Sequence, residues 1–340
     1  MNPYRYIFRR LLFGILVLMC VVTITFTLSR SIGGNTVAAW LGKSASMHPE
    51  LAELYAEKYH LNDPIPVQFY YYVINLLGGN LGFSPSRGFE PVISVIATTL
   101  PFTLQIALFA FLISVILGVL LGVLSAKYQH RKPDTLIRVF YLAGYSSPPY
   151  FVALILLIVF AFKLNLLPTG GAFDIQLTSP SVITGLPILD AAIEGNVPYV
   201  LSSLKHMILP SMALALVTFG VLTRVLRSTL LDVMRANYIR TARAKGLEEN
   251  IVFFKHALRN AMISVVTISS LMVTWLITGT IFVENIFAYP GMGQYVVQAL
   301  AGQDYPGILG TTIVFAVVIV VTNLIADILY AVVDPQVRLG

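Results

Sequence analysis

Six runs of apolar residues, each long enough to cross a lipid bilayer, restrict how this chain can fold. A helix needs about 20 residues to span the hydrocarbon core. The six runs cover approximately residues 10–30, 99–126, 136–163, 205–227, 260–283 and 308–333. The composition agrees, because only 11% of the 340 residues are charged, against about 25% in a soluble domain. The sequence therefore predicts an all-α integral membrane protein with six transmembrane helices.

Basic residues are concentrated in alternate connections between these runs. The connection between spans two and three carries Lys127, Arg131, Lys132 and Arg138. The connection between spans four and five carries Arg224, Arg227, Arg235, Arg240, Arg243, Lys245, Lys255 and Arg259. Residues 164–204 contain no Lys or Arg. Because cytoplasmic connections are enriched in Lys and Arg, both basic connections and both termini are predicted in the cytoplasm. The net charge of +6 is thereby assigned to membrane orientation and not to nucleic-acid binding.

The division of the chain follows from the spacing of the spans. The uncharged run from Leu11 to Leu28 is longer than the apolar core of a secretion signal. Residues 10–30 are therefore predicted to be an uncleaved first span. Residues 31–98 are predicted to form a small extracytoplasmic insertion with helical patterns at Glu50–Tyr59 and Val67–Leu77. Such an insertion would cover the outer mouth of the bundle. The remaining residues, 99–340, would form a five-helix core, with 1–340 making one membrane domain.

Chemistry-bearing motifs are mostly missing from the sequence. Gly42-Lys43-Ser44 resembles the end of a phosphate-binding loop, but Val37 stands where the required glycine would be. The five histidines do not occur at zinc-ligand spacing. The sequence therefore predicts no catalytic, metal or nucleotide site on this chain, and favours a protein that is not an enzyme.

Three residues inside the spans are candidates for a translocation path or gate. Pro148 and Pro149 predict a kink in the third span, at a packed or cavity-lining position. Asp327 is an ionisable group inside the last span. It is either part of a proton relay or, as we favour, a helix-end carboxylate bonded to a neighbouring element.

The most charged segment, residues 235–260, lies between spans four and five. Gly246 separates two helical patterns there, which predicts a helix, a break and a second short helix. Apolar residues are mixed with its charges: Ile251, Phe253, Phe254, Ala257 and Leu258. An ordinary cytoplasmic loop needs only the Lys and Arg residues. The phenylalanines favour an amphipathic helix that docks into a groove on a partner protein.

Residues 238–247, Tyr-Ile-Arg-Thr-Ala-Arg-Ala-Lys-Gly-Leu, resemble a known cytoplasmic loop. This is the EAA loop in the permease subunits of prokaryotic ABC importers, in particular of the dipeptide, oligopeptide and nickel family. Further segments resemble that family in the same order along the chain: 79–84, 100–104, 167–171, 204–210, 284–293 and 334–338. Gly33-Gly34-Asn35-Thr36 departs from the family's Pro-Gly-Asp-Pro, on the predicted outer side, where a change bears on the solute.

The resemblance implies a set of partners. They are a second homologous permease in a heterodimer, two cytoplasmic subunits that bind ATP and Mg²⁺, and an extracytoplasmic solute-binding protein. This chain would lie in the prokaryotic inner or plasma membrane and bind no cofactor itself. Its ATPase-coupling residues would be Tyr238, Arg240, Thr241, Ala242, Arg243, Ala244, Lys245, Gly246, Leu247, Phe253, Phe254, Leu258 and Arg259. Phe253, Phe254 and Leu258 would be buried in the partner, with Arg240, Arg243 and Lys245 at the rim.

The family's cargo includes peptides, nickel complexes and oligosaccharides. The spans lack a cluster of His, Cys or Met at ligand spacing, so a bare metal ion is the least supported cargo. We expect half of a translocation pathway for oligopeptides or a similar small oligomeric solute. The alternatives are an oligosaccharide permease of the same family and, outside it, a self-sufficient channel or proton-driven carrier.

Overall fold

The computed structural model describes residues 3–31 and 49–333, and most of these residues are helical. The helices are α1 (Pro3–Ser31), α2 (Pro49–Lys58), α3 (Ile65–Leu77), α4 (Val92–Lys127), α5 (Lys132–Ser146), α6 (Pro149–Leu156), α7 (Pro187–Ile193), α8 (Val197–Val233), α9 (Asn237–Ala244), α10 (Glu249–Ile251), α11 (Arg259–Ile286), α12 (Met292–Gly302) and α13 (Tyr305–Val333). Two π-helical segments, Leu157–Lys163 and Val252–Leu258, continue α6 and join α10 to α11. Two short strands, β1 (Phe83–Ser84) and β2 (Glu90–Pro91), pair antiparallel. The predicted all-α membrane architecture is confirmed.

The spans lie close to the predicted runs. Among the described residues, five helical segments are long and apolar enough to cross a membrane, namely Phe8–Ser29, Val92–Lys127, Val197–Val233, Glu249–Ile286 and Tyr305–Ala326. The predicted third span is two helices, α5 and the helix that starts at Pro149, bent by 109° at a short break. Counting this bent pair as one span gives six.

The break between α5 and α6 is sharper than the predicted kink. Ser147 and Pro148 are both extended, with ψ values of 136° and 143°. A proline lacks the N–H that would continue the helix, and it disfavours helical geometry in the residue before it. Two consecutive prolines therefore end α5 and start α6, with Pro149 at its first position.

The described residues fall into two compact units. The core unit contains residues 104–289 and 322–333, together with Pro3. The N-terminal unit contains residues 4–31, 49–103 and 290–321. The spacing of the spans predicts residues 290–321 in the same core as residues 99–289, but in the structure they group with the N-terminal part of the chain.

Small residues allow α4 to approach α8 within the core unit. Every fourth residue of α4 is small from Ala110 onward, through Ser114, Gly118, Gly122 and Ala126. A Cβ atom on Gly118 would lie 2.5 Å from a methyl carbon of Leu222, and one on Gly122 would lie 3.1 Å from Leu226. In lipid, where apolar burial does not drive helix association, such close approach supplies the packing energy.

Helix α8 is the centre of the core unit, where it packs against α5, α6 and α11. Glycines allow close contact with α5 from both sides. A Cβ on Gly144 of α5 would lie 2.2 Å from the Leu216 carbonyl oxygen, and one on Gly220 of α8 would lie 3.0 Å from the Tyr141 carbonyl oxygen. Helix α8 is therefore in direct contact with α5, α6 and α11.

The N-terminal unit contains the described part of the predicted insertion. It also contains the buried carboxylate of Asp304, which accepts hydrogen bonds from the Gly307 N–H (2.8 Å), the Ser86 hydroxyl (2.7 Å) and the Ser84 hydroxyl. Asp304 thus caps α13 and ties it to the β1 turn. The motifs noted at residues 33–36, 42–44 and 334–338 lie outside the described residues.

Candidate coupling site

Helix α9 is attached to the end of α8 by its buried face. Ile239 and Ala242, three residues apart and so on one face of the helix, are buried. They belong to one apolar cluster with Leu226 and Leu230 of α8 and with Val252. The helix therefore rests on the core unit and presents its opposite face outward.

Gly246 ends α9 with the geometry that its sequence position predicts. Its φ angle is +78°, a left-handed conformation that costs glycine little. The Gly246 N–H donates to the Arg243 carbonyl (2.9 Å), and the Leu247 N–H donates to the Ala242 carbonyl (3.4 Å). This pair of bonds is the Schellman motif, which stops a helix and turns the chain. The predicted break at Gly246 is confirmed.

An ion pair closes the turn around Gly246. The Arg243 guanidinium donates to both carboxylate oxygens of Glu249, at 3.0 and 2.6 Å. This hydrogen bond raises the pKa of Arg243 above its ordinary value. Both side chains are more than one-third exposed, so the pair orients the turn more than it stabilises the fold.

Phe253 and Phe254 have different surroundings. Phe253 is only 8% exposed and packs in the chain's own apolar cluster, whereas Phe254 is 46% exposed. Neighbouring residues of a helix point in different directions, and here Phe253 faces the cluster while Phe254 faces outward. Leu258 is half-buried against the same cluster. Of the three residues expected to enter a partner's groove, only Phe254 is presented for it.

The outward-facing residues of this segment define what we call the coupling surface: Tyr238, Arg240, Arg243, Lys245, Leu247, Ile251 and Phe254, all of which are exposed. Thr241, Ala244 and Arg259 are exposed beside it. The Lys127 ammonium lies 5.5 Å from the centre of the Phe254 ring, within cation–π range. The Tyr238 hydroxyl accepts a hydrogen bond from the Asn260 amide at 2.7 Å. The surface therefore combines apolar side chains with an excess of positive charge.

Asp134 is a structural residue that the sequence reasoning did not select. Its fully buried carboxylate accepts two hydrogen bonds from the Arg227 guanidinium, at 2.9 and 2.8 Å. It also accepts from the Ser125 hydroxyl (2.6 Å) and the His130 N–H (3.0 Å). These bonds join the α4–α5 turn to α8. The available signal was a lone acidic residue in a strongly basic connection.

The three predicted gate residues belong to other parts of the chain. Pro148 is exposed and Pro149 half-buried, and the helix that Pro149 starts packs against α8 and α11. The side chain of Asp327 lies outside the described part of the structure. No group of three or more potential metal ligands occurs among the described residues.

Comparisons with known proteins identify the family. Residues 118–339 match the family described as binding-protein-dependent transport system inner membrane component, and residues 3–107 match its N-terminal family. The oligopeptide transport system permease protein AppB of Bacillus subtilis is 38% identical over 98% of this chain and 99% of its own length. The probable D,D-dipeptide transport system permease protein DdpB of Escherichia coli is 36% identical over 96% of this chain and 95% of its own. The chain therefore belongs to the inner-membrane components of binding-protein-dependent transport systems, the permease subunits of ABC importers.

Proposed function

We propose that this permease subunit forms half of a translocation pathway for peptides and receives its driving force through the coupling surface. The relatives described above are named as oligopeptide and dipeptide permeases, and each aligns over nearly its whole length. The coupling role is supported by one observation: residues 238–254 expose an apolar and basic face, while their opposite face packs in the buried apolar cluster beneath α9.

The partners follow from the chemistry of that surface. A groove that accepts Phe254, Ile251 and Leu247 is apolar, and acidic residues at its rim complement Arg240 and Lys245. Two cytoplasmic ATP-hydrolysing subunits, each with its own ATP and Mg²⁺, supply such grooves to this chain and to a second, homologous permease. This chain binds no cofactor.

The path of the driving force runs from α9 to α8 and α11. A partner that moves against the coupling surface displaces α9, whose buried residues Ile239 and Ala242 contact the base of the cluster. That cluster contains residues of both α8 and α11, so both spans move with it. Alternation between inward-facing and outward-facing states then requires that the ATP-bound partner favours one state by its contacts.

Orientation completes the proposal. The coupling surface and both termini face the cytoplasm, whereas the segment without Lys or Arg, residues 164–204, faces the solute-binding protein. Peptide is delivered at that outer face and leaves at the coupling side.

Substitution of Phe254 tests the coupling role. Phe254→Glu places a charge in the groove, and we expect at least tenfold weaker association with the ATPase subunits and a matching loss of ATP-dependent uptake. The matched control Phe254→Leu keeps the side chain apolar and retains most of both activities. Association is measured by co-purification, and uptake of labelled trialanine is measured in proteoliposomes with all partners. A Phe254→Glu variant that assembles and transports like the unmodified protein would refute the coupling role.

The substrate class is tested separately. Trialanine is expected to drive uptake and to compete with other tripeptides, whereas maltotriose is not. Uptake of maltotriose without uptake of trialanine would contradict the peptide assignment and leave the coupling role intact.

A further inference from the structure

One face of α8 near its start carries polar side chains that the coupling role does not use. Tyr199, Ser202 and His206 are spaced by three and four residues and therefore share a face. All three are buried. The segment after α6 packs on this face, since the Phe173 ring lies 4.7 Å from the Tyr199 ring. Asp174 follows Phe173 directly and is thereby brought to Ser202.

Hydrogen bonds determine the tautomer of His206 in its neutral form. Its Nδ1 lies 2.8 Å from the Ser202 carbonyl oxygen. A carbonyl only accepts, so Nδ1 carries the proton and donates. In the neutral ring, Nε2 then has a lone pair and acts as an acceptor. His206 is only 8% exposed, so few water molecules can reach it.

The Asp174 carboxylate is held in place by Ser202. The Ser202 hydroxyl donates to Oδ2 at 2.8 Å and accepts from the Asp174 N–H at 2.9 Å. The other oxygen, Oδ1, lies 3.9 Å from His206 Nε2, which is beyond hydrogen-bond distance. Two acceptors therefore face each other across a gap, and the Asp174 side chain is 66% exposed on its open side.

We propose that Asp174 and His206 form a binding site for a primary ammonium group. A nitrogen placed about 2.9 Å from Oδ1 and from Nε2 donates to both acceptors, and its charge is balanced by the carboxylate. An ammonium group has three donors and no acceptor, which matches this pair. Among the described residues, no Lys or Arg lies within ion-pair distance of Asp174.

The site lies at the end of α8 remote from the coupling surface. The helix from His206 to Val233 is about 40 Å long at roughly 1.5 Å per residue, which exceeds the bilayer core of about 30 Å. The site would therefore bind an ammonium group on the face of the membrane where solute is delivered. The identity of the cargo rests on the proposed function. If the cargo is peptide, the ammonium group that all cargo molecules share is the free N-terminus.

Selective labelling tests this site directly. The chain has five histidines, so the ¹⁵N-histidine spectrum of the labelled permease in the assembled importer, in lipid nanodiscs, is simple. His206 is assigned by the loss of its signal in His206→Gln. We expect methylammonium and trialanine to shift the Nε2 resonance of His206, and N-acetyl-trialanine to leave it unchanged.

Two variants make the measurement specific. Asp174→Asn removes the charge that balances the ammonium and is expected to raise the half-saturating trialanine concentration about tenfold. Glu194→Gln removes a carboxylate from the same outer segment without touching the pair, and is expected to leave that concentration unchanged.

Three results would overturn the site. They are equal shifts with trialanine and its N-acetyl form, no shift with methylammonium, or an Asp174→Asn variant whose His206 signal still shifts with methylammonium as in the unmodified protein. Because methylammonium is not a peptide, its result is independent of the cargo. Uptake of trialanine without a response of His206 would refute the ammonium site and leave the peptide assignment intact. A response to methylammonium without uptake of trialanine would refute the peptide assignment and leave the ammonium site intact.

Discussion

At the scale of single residues, neighbours in the sequence have separate tasks. Phe253 completes the cluster beneath α9, and Phe254, next to it, stands in the coupling surface. Gly246 combines a positive φ with open space around its α-carbon, so a side chain there meets no atom but adopts a strained backbone. These features lead to different expectations for substitutions that look alike in the sequence.

Alanine substitutions separate the two phenylalanines. Phe253→Ala leaves a cavity and is expected to lower the free energy of unfolding by about 3 kcal/mol, because its ring packs against the chain's own cluster. Phe254→Ala is expected to leave unfolding nearly unchanged. Thermal unfolding of the purified permease in detergent, without ATPase subunits, measures both. Equal destabilisation by the two variants would contradict their opposite placement.

Gly246 is expected to tolerate asparagine better than alanine. Gly246→Ala forces a Cβ into the left-handed region at a cost of about 1 kcal/mol, which frays the turn and misplaces Leu247. Asparagine enters this region more readily and serves as the matched control. ATP-dependent trialanine uptake is the measurement, with Ala below Asn and both below Gly. An alanine variant as active as glycine would show that the turn does not need this geometry.

At the scale of helices, the interior is organised by small residues and by one buried ion pair. The small face of α4 from Ala110 to Ala126 contacts α8, while large residues at Leu108, Leu112 and Ile116 are exposed. Asp134 and Arg227 then join the α4–α5 turn to the same helix. Helix α8 is therefore bound to its neighbours by close packing along its length and by charge near one end.

Enlarging the small face of α4 is expected to destabilise the bundle. Gly118→Val brings methyl groups into the space of Leu222, and overpacking of this kind costs roughly 1–3 kcal/mol. Leu120→Val changes a side chain of the same helix that is exposed and is expected to be nearly neutral. The apparent melting temperature in detergent measures the difference. Equal melting temperatures would mean that α4 and α8 separate without cost.

The buried ion pair is expected to be costly to break but cheap to remove. Asp134→Ala leaves the Arg227 charge without its hydrogen-bonded partner, and Arg138 without the carboxylate 3.6 Å away, and is expected to destabilise the fold by about 3 kcal/mol. The double variant Asp134→Ala/Arg227→Met removes the carboxylate and its buried partner, leaves only the more exposed Arg138, and is expected to recover much of that loss. Unfolding of the two single variants and the double variant forms a thermodynamic cycle. A double variant less stable than Asp134→Ala would contradict the prediction.

At the scale of the whole molecule, hydropathy and charge predicted the spans, and Gly246 predicted the break within residues 235–260. The second helix was expected to be short, but it continues into the fifth span as the segment Glu249–Ile286. The length of an apolar run and a glycine between two helical patterns are both local features of the sequence. The inward placement of Phe253 and the Asp134–Arg227 pair depend on which faces meet, and a periodic sequence does not specify that. The grouping of residues 290–321 with the N-terminal unit depends on long-range packing, which span prediction does not contain.

The orientation of the molecule is open to direct measurement. In a Cys20→Ser background, Ile175→Cys and Leu247→Cys each place one thiol on an exposed position at opposite ends of the core unit. A membrane-impermeant maleimide is expected to label Ile175→Cys in intact spheroplasts and Leu247→Cys only after the membrane is opened. The reverse pattern would invert the orientation.

The contact between α9 and the ends of α8 and α11 lies almost entirely within one contiguous stretch, residues 197–286. Ser202 and His206 lie near the start of this stretch, whereas the α9 cluster begins at Leu222 of the same helix, so substitutions around Asp174 are expected to leave that cluster unchanged. This separation along the chain makes residues 235–260 suitable for transplantation. Residues 235–260 exchanged between two permeases should carry the choice of ATPase with them and leave the choice of cargo behind.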